Sequence, residues 1–475
     1  HTDQSSYTFA GAAGTSGTIG AVANATGISS GDGIDDIDNS GAVTSRSRAF
    51  AKSSGSAATF AGSSDVSASA DASASALGID SGEGDDEVDN SGGIEVEAEA
   101  RTELDTDSKV FAGNPGADSA TKVVAGATGI GTGGGVDEIL NASSITVKAS
   151  ASGTAKASAD SDFLSNASSA SVVSVASASG ASAAGGNDRI SNEADAIVDV
   201  DAESYSVTDA WSDENSTATS MGNAATATGL DAGEGDNFVE NHGAVEAGAR
   251  THTDADATSS STQYTAYSTA GAGAAAGATG IAAGAGNDRI ENLAAPDSQG
   301  TVTASAEAHG IATATYKEAH QDESRATATI AATATGIDAG DGKNIVRNDG
   351  EVVATSDADA DTTAESNTTF SATTHTYSDP STTATATGVA TGSGVDDIRT
   401  GAASLVSATA HADSDTVSTA EEFSYADAHS TARAYGVEAG GGVNLVENGG
   451  TILADSTAEG SVDAFADSNF TTNLA

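Results

Sequence analysis

Hydrophobic and polar residues alternate along most of the chain. IEVEAEA at 94–100, IVDVDAESYSV at 197–207, VSASADASASALGI at 66–79 and TATIAATATGI at 327–337 place apolar or small side chains at every second position. That period predicts strands with one face turned inward, and a total of three prolines agrees with it. Alanine-rich segments also suit a helix by propensity. No 3.6-residue periodicity is present, however, and Gly, Ser, Thr and β-branched residues are dense, so strands are the expected element.

The alternating stretches recur in phase. A glycine, usually within ATGI, stands at Gly27, Gly78, Gly129, Gly180, Gly229, Gly280, Gly336, Gly388 and Gly436. Six residues after each anchor comes a glycine, from Gly33 to Gly442, which is the second of a GxG pair in every unit but the fourth, where Ala184 precedes Gly185 and Gly186. Ten residues after it comes an aliphatic: Ile37, Val88, Ile139, Ile190, Val239, Ile290, Val346, Ile398 and Val446. Twelve residues after it comes asparagine, except at Thr400. The chain therefore reads as one array over 1–475: a partial unit at 1–26, eight full repeats of about 51 residues at 27–435, and a truncated ninth at 436–475. The sixth unit has about five extra residues near LAAPDSQG at 293–300, which places Pro296 in a loop.

Strands at a long fixed repeat predict an all-β fold, a parallel β-solenoid (β-helix-like) in which each unit stacks on the last. Ile28, Ile79, Ile130, Leu230, Ile281, Ile337, Val389 and Val437 then form one aliphatic ladder. The residues ten after each anchor form a second, and Val43, Ile94, Ile145, Val245, Val352 and Ile452 a third. At about 4.8 Å per coil the body is about 45 Å long, or twice that if each unit makes two coils. Stacking changes the meaning of the composition. Leu, Ile, Val and Phe number 69 of 475 residues and the formal charge is −52, which otherwise describes a disordered chain. Ladders let a few large groups per unit suffice, with Ala, Ser and Gly letting facing sheets approach closely.

The turn after each anchor has the order G-x-G-x-[DN]-x-aliphatic-x-N, as in GEGDDEVDN at 82–90 and GAGNDRIEN at 284–292. It resembles the haemolysin-type calcium-binding (RTX) nonapeptide. The resemblance implies Ca²⁺ held by backbone carbonyls and by Asp35, Asp86, Asp137, Asp188, Asp288 and Asp396, with Asn237, Asn344 and Asn444 at the same position in the other units. It covers about nine residues in each unit, once per repeat rather than in tandem. Read from the residues alone, the same side chains also suit turn chemistry, bonding backbone amides without a metal. Stacked carboxylates repel, which favours a divalent ion between them. Both readings stand open at this level.

The asparagines twelve after each anchor suit a ladder of stacked amides. Six N-x-S/T sequons, including Asn469, match chance for this composition. Cysteine is absent, which removes disulfides, thiol nucleophiles and thiolate metal sites. The eight histidines, from His1 to His429 and including His320, are expected to share no repeat position, and they show no metal-ligand spacing. An enzyme is not expected: a β-helix acting on acidic polysaccharide needs a cationic cleft, and 17 scattered Lys and Arg do not supply one. Neither nucleic acid nor anionic membrane suits such a polyanion, and no apolar run is long enough to insert into a bilayer. An ice-binding threonine array fails, because the residue before the anchor glycine is Leu77, Ser179 and Tyr435 in three units.

The chain begins and ends in mid-unit, and open solenoid ends favour head-to-tail stacking of copies. The expected function is an exported, calcium-stabilised structural subunit of an extracellular fibre, surface layer or matrix. The different-class alternative is the stalk or passenger of an adhesin, contacting glycans or another cell surface through connections that carry Trp211, Tyr264, Tyr267, Phe370, Tyr377, Phe423 and Tyr425.

Overall fold

Each repeat makes one coil. In a computed structural model that describes residues 2–161, 166–260, 265–294, 300–317, 321–367 and 373–466, every strand pairs in parallel with its counterpart one repeat away. Val43 pairs with Ile94 and Ile94 with Ile145, while Ile37 pairs with Val88 and Val88 with Ile139. One coil per repeat selects the shorter body, about 45 Å long at the usual strand spacing. His1, Tyr264, Pro296, His320, Phe370 and Asn469 lie outside the described residues.

A coil has three parts, clear in the fourth. A short closing strand, Arg189–Asn192, follows the glycine turn. An outbound leg, Ile197–Ser212, runs to the far bend. A return leg, Asn215–Asp231, comes back to the next turn. The closing strands stack into a nine-stranded sheet and the legs into a second, larger one. In the second coil a single strand, Ile94–Gly134, passes through the far bend without a break. No helix occurs among the described residues.

The two legs of a coil pack face to face over a thin interior. Ala98, Ala100, Ala125 and Ala127 typify its lining, all buried. Larger groups fit only where the opposite leg yields space. A Cβ on Gly310 would lie 2.1 Å from Ile330 Cδ1, and one on Gly153 2.5 Å from Val172 Cγ1. Toward the far bend hydroxyls replace alanines and bond across the gap. Ser206 and Ser220 are 2.5 Å apart, and Thr382 and Ser414 2.9 Å.

The three aliphatic ladders form as the sequence implies. Ile79, Ile130, Leu230, Ile281, Ile337 and Val389 are fully buried, with Ala181 filling the fourth coil's place. The third ladder is complete, because Val198, Val302 and Val406 join it. The anchor glycine is what lets the first and third ladders meet. Gly78 and Ile79 both face inward, so the alternation changes phase there. A Cβ on Gly229 would lie 2.2 Å from Val245 Cγ1 and 2.5 Å from the carbonyl of Gly280 in the next coil.

The extra residues of the sixth unit leave this register intact. Chain departs at Leu293 and is rejoined at Gly300, whose N–H donates to the Leu293 carbonyl at 3.1 Å. Asn292 still pairs with Asn348.

Candidate functional site

The turn between return leg and closing strand carries the residues of highest chemical interest. Its second glycine is fixed by two demands. Gly84 has φ +141°, and a Cβ there would lie 1.4 Å from the Gly33 carbonyl of the preceding coil. Successive turns therefore stack at backbone contact, which an L side chain prevents.

Two residues beyond that glycine, the nine Asp and Asn positions form one continuous ladder. The N–H of Asp35 donates to Asp86 Oδ1, that of Asp86 to Asp137 Oδ1, and that of Asp137 to Asp188 Oδ1, each at 2.9 Å. Asp188 donates to Asn237, Asn237 to Asp288, Asp288 to Asn344, Asn344 to Asp396, and Asp396 to Asn444 in the same way, at 2.8–3.2 Å. One side-chain oxygen per coil thus satisfies a turn amide of its neighbour.

The second side-chain atom separates the two residue types. Asn237 Nδ2 donates to the Gly233 carbonyl at 3.1 Å and to that of Ala283 at 2.9 Å. Asn344 Nδ2 donates to Gly340 at 2.8 Å, and Asn444 Nδ2 to Gly440 at 3.0 Å. In all three the acceptor four residues upstream is shared. The Oδ2 atoms of Asp35, Asp86, Asp137, Asp188, Asp288 and Asp396 are buried at the corresponding place with no hydrogen-bond partner. Burial raises the proton affinity of Asp137, opposed by the Asp86 N–H and the Thr132 hydroxyl. It raises Asp188 and Asp288 to about 6.

These residues do not by themselves fit a calcium site. Ca²⁺ takes roughly six to eight oxygen ligands, yet Asp86, Asp137, Asp188, Asp288 and Asp396 each have one oxygen committed to a neighbouring N–H. Three positions instead aim amide hydrogens at the carbonyls. Among the described residues no three His, Cys, Asp or Glu side chains converge as a metal centre requires.

Beside this ladder runs the asparagine column. Asn39 Nδ2 donates to Asn90 Oδ1 at 2.7 Å, Asn90 to Asn141 at 2.8 Å, and Asn141 to Asn192 at 2.9 Å. It continues through Asn241 and Asn292 to Asn348. Asn141, one of the six sequons, is thus a buried member of the column.

Outside the coils, side chains stack by type. Glu97 bonds both Arg46 and Arg48, and Lys52 pairs with Glu103 one coil away. Phe238 is held between the guanidinium groups of Arg189 and Arg289, at 5.6 and 5.7 Å. Phe9, Phe60 and Phe111 stack at the far bend with centroids 5.1 and 4.8 Å apart. Nearby on the last coils, Tyr377 contacts Phe423 and Tyr425. Trp211 is half-buried and Tyr267 exposed.

One expectation is corrected here. His252 and His309 do share a repeat position: they pair directly and stack at 5.0 Å, with Tyr205 on the other side of His252. The extra residues of the sixth unit fall between its anchor glycine and its outbound leg, so counting from the glycine misaligned them. His309 Nδ1 lies 2.9 Å from Asp359 Oδ2. That bond raises the histidine's proton affinity and lowers the carboxyl's. Burial, with His309 beside it, pushes His252 down.

The sequence matches no family model, and neither curated proteins nor solved structures show a similar relative.

Proposed function

We propose that the protein is a structural subunit of an extracellular fibre, surface layer or matrix, assembling head to tail along the solenoid axis. One observation carries this reading: the in-register stack of equivalent coils is extendable. An internal strand such as Ile94–Gly134 pairs in parallel on both sides, with Val43–Asp80 of the coil before it and Ser144–Ser161 of the coil after it. Every coil thus offers the same backbone donors and acceptors to either neighbour, a geometry in which strands of another copy can also be added. A further copy, stacked in parallel, continues the same ladders, and a heterologous contact of that kind does not close. The extracellular placement rests on the likeness of the turns to the haemolysin-type nonapeptide. The cations that so acidic a body attracts are assigned to its outer carboxylates, since the turn aspartates offer too few free oxygens.

Electron microscopy of the purified protein, with and without Ca²⁺, tests the assembly. Filaments whose width matches one coil are expected, and dispersed short rods under both conditions would sink the proposal. The adhesin stalk or passenger is a second reading, supported by the aromatic rings gathered at the far bend. Phe60→Ala with Phe111→Ala would abolish glycan or cell binding under it while leaving filaments intact.

A further inference from the structure

Among the described residues, six Oδ2 atoms at one repeat position of the turn ladder are buried without a hydrogen-bond partner. Asp86, Asp137, Asp188, Asp288 and Asp396 are each at most 3% exposed. A buried oxygen without a donor is costly, and an ionised one more so. The repeat supplies its own comparison, because three coils carry asparagine on the same backbone. There the second atom is a donor, aimed at the carbonyl four residues upstream. For Asp188 and Asp288 the equivalent acceptors are the carbonyls of Ala184 and Gly284. An ionised carboxylate would turn a negative oxygen toward each.

A second position divides the six aspartates. Three residues after the anchor glycine, the coils of Asp35, Asp86, Asp137 and Asp396 carry Ser30, Ser81, Thr132 and Thr391. The hydroxyl of Thr132 favours the charged form of Asp137 through proximity, although the two atoms do not meet in hydrogen-bond geometry. The coils of Asn237, Asn344 and Asn444 carry Ala232, Ala339 and Ala439 there, and those of Asp188 and Asp288 carry Ala183 and Ala283. Asp188 and Asp288 thus sit in the asparagine type of coil, with no hydroxyl at that position. The charges that act on them are carboxylates, Asp137 on Asp188 and Asp236 on Asp288. Their ladder neighbours on the far side, Asn237 and Asn344, are uncharged.

We propose that Asp188 and Asp288 each hold a proton in the folded solenoid and donate it, as neutral carboxylic acids, to the carbonyls of Ala184 and Gly284. Their O–H does what the N–H of asparagine does in the neighbouring coils. The ladder is then a proton-binding site rather than a cation site, and the fold is pH-sensitive through it. Burial places both groups near 6, above the ordinary 3.8. A proton bound more tightly by the folded form contributes stability below the unfolded value, and that contribution is lost as pH rises through about 6.

The test is urea unfolding of the full chain between pH 4.5 and 8, comparing wild type with the double substitution Asp188→Asn, Asp288→Asn. Relief of general repulsion at low pH is controlled by Asp195→Asn, at an exposed site. Wild type and the control should lose midpoint together as pH passes about 6. The double variant should lose less and exceed wild type at pH 7.5. Asp188→Ala with Asp288→Ala, which has no donor, should be less stable than the asparagine pair at every pH. Infrared spectra at pH 5.5 should show a protonated carboxyl band that the asparagine pair lacks. An asparagine pair no more stable than wild type at pH 7.5, an absent band, or a calcium-induced rise in midpoint that the pair abolishes would each overturn the proposal.

Discussion

At Thr400 the asparagine column breaks on one side only. Its hydroxyl donates to Asn448 Oδ1 at 2.6 Å, but Asn348 Nδ2, which should meet an amide oxygen there, is buried without an acceptor. Thr400→Asn should restore the missing bond and stabilise the protein by about 1 kcal/mol, read as a higher urea midpoint; an unchanged or lower midpoint would show that the column is not continuous there. The glycines make the opposite point. Gly229→Ala places a Cβ 2.5 Å from a backbone carbonyl that cannot move without its coil, so a loss of about 3 kcal/mol is expected. Gly277→Ala, on the neighbouring return leg with nothing within 4 Å, should stay within about 0.5 kcal/mol of wild type. Recurrence alone marked Gly229 in the sequence. What it could not show is that the crowding atoms belong to the next coil and the opposite leg.

The legs were legible as strands because period two survives wherever one face is buried. How the legs fit together was not, because facing residues have no fixed separation. Gly310 faces Ile330 across 20 residues, whereas Gly55 faces Val66 across 11, since the far bend falls at different places in different coils. A double-mutant cycle checks the pairing. Gly310→Ala alone should cost about 2 kcal/mol through its contact with Ile330 Cδ1. Combined with Ile330→Val, which removes that methyl, the cost should shrink, with a coupling of about 1 kcal/mol; additive losses would mean the two do not touch. The same register that the far bend and the sixth-unit insertion hide is what brings His309 to Asp359. The lowered carboxyl and raised imidazole make this pair stabilising above about 4, the ordinary carboxylate range. The contribution fades as pH climbs past the histidine's raised value. Half-exposed partners limit the size of that effect, and His309→Gln should flatten it.

Over the whole molecule, period two turns nearly all of the charge outward, so the −52 of the sequence becomes a surface property of a rod about 45 Å long. It is not evenly compensated. The outbound legs of the first coils alternate in sign, with Arg46 and Arg48 against Glu97. The closing strands of the first three coils carry Asp36, Asp38, Glu87, Asp89 and Glu138, and the first cation in that sheet is Arg189. Asp36, followed by Asp89, holds the Glu87 carboxyl above its usual range. Self-repulsion on this scale is a long-range effect, screened over about 8 Å at physiological salt and about 3 Å at 1 M. Raising NaCl from 0.15 to 1 M should therefore raise the thermal midpoint, and millimolar divalent cations should do so at far lower ionic strength. The identity of the divalent ion then separates a diffuse counter-ion from a built site. Diffuse binding responds to charge, so Mg²⁺ and Ca²⁺ should raise the midpoint alike. A carbonyl and carboxylate cage admits the larger, more flexible Ca²⁺ and rejects Mg²⁺, which sheds its waters reluctantly. Equal midpoints in matched MgCl₂ and CaCl₂ are expected here, because the oxygens that face outward are carboxylates free to move, while from Asp86 onward each turn aspartate has one oxygen taken by a neighbouring N–H and too few remain for a cage.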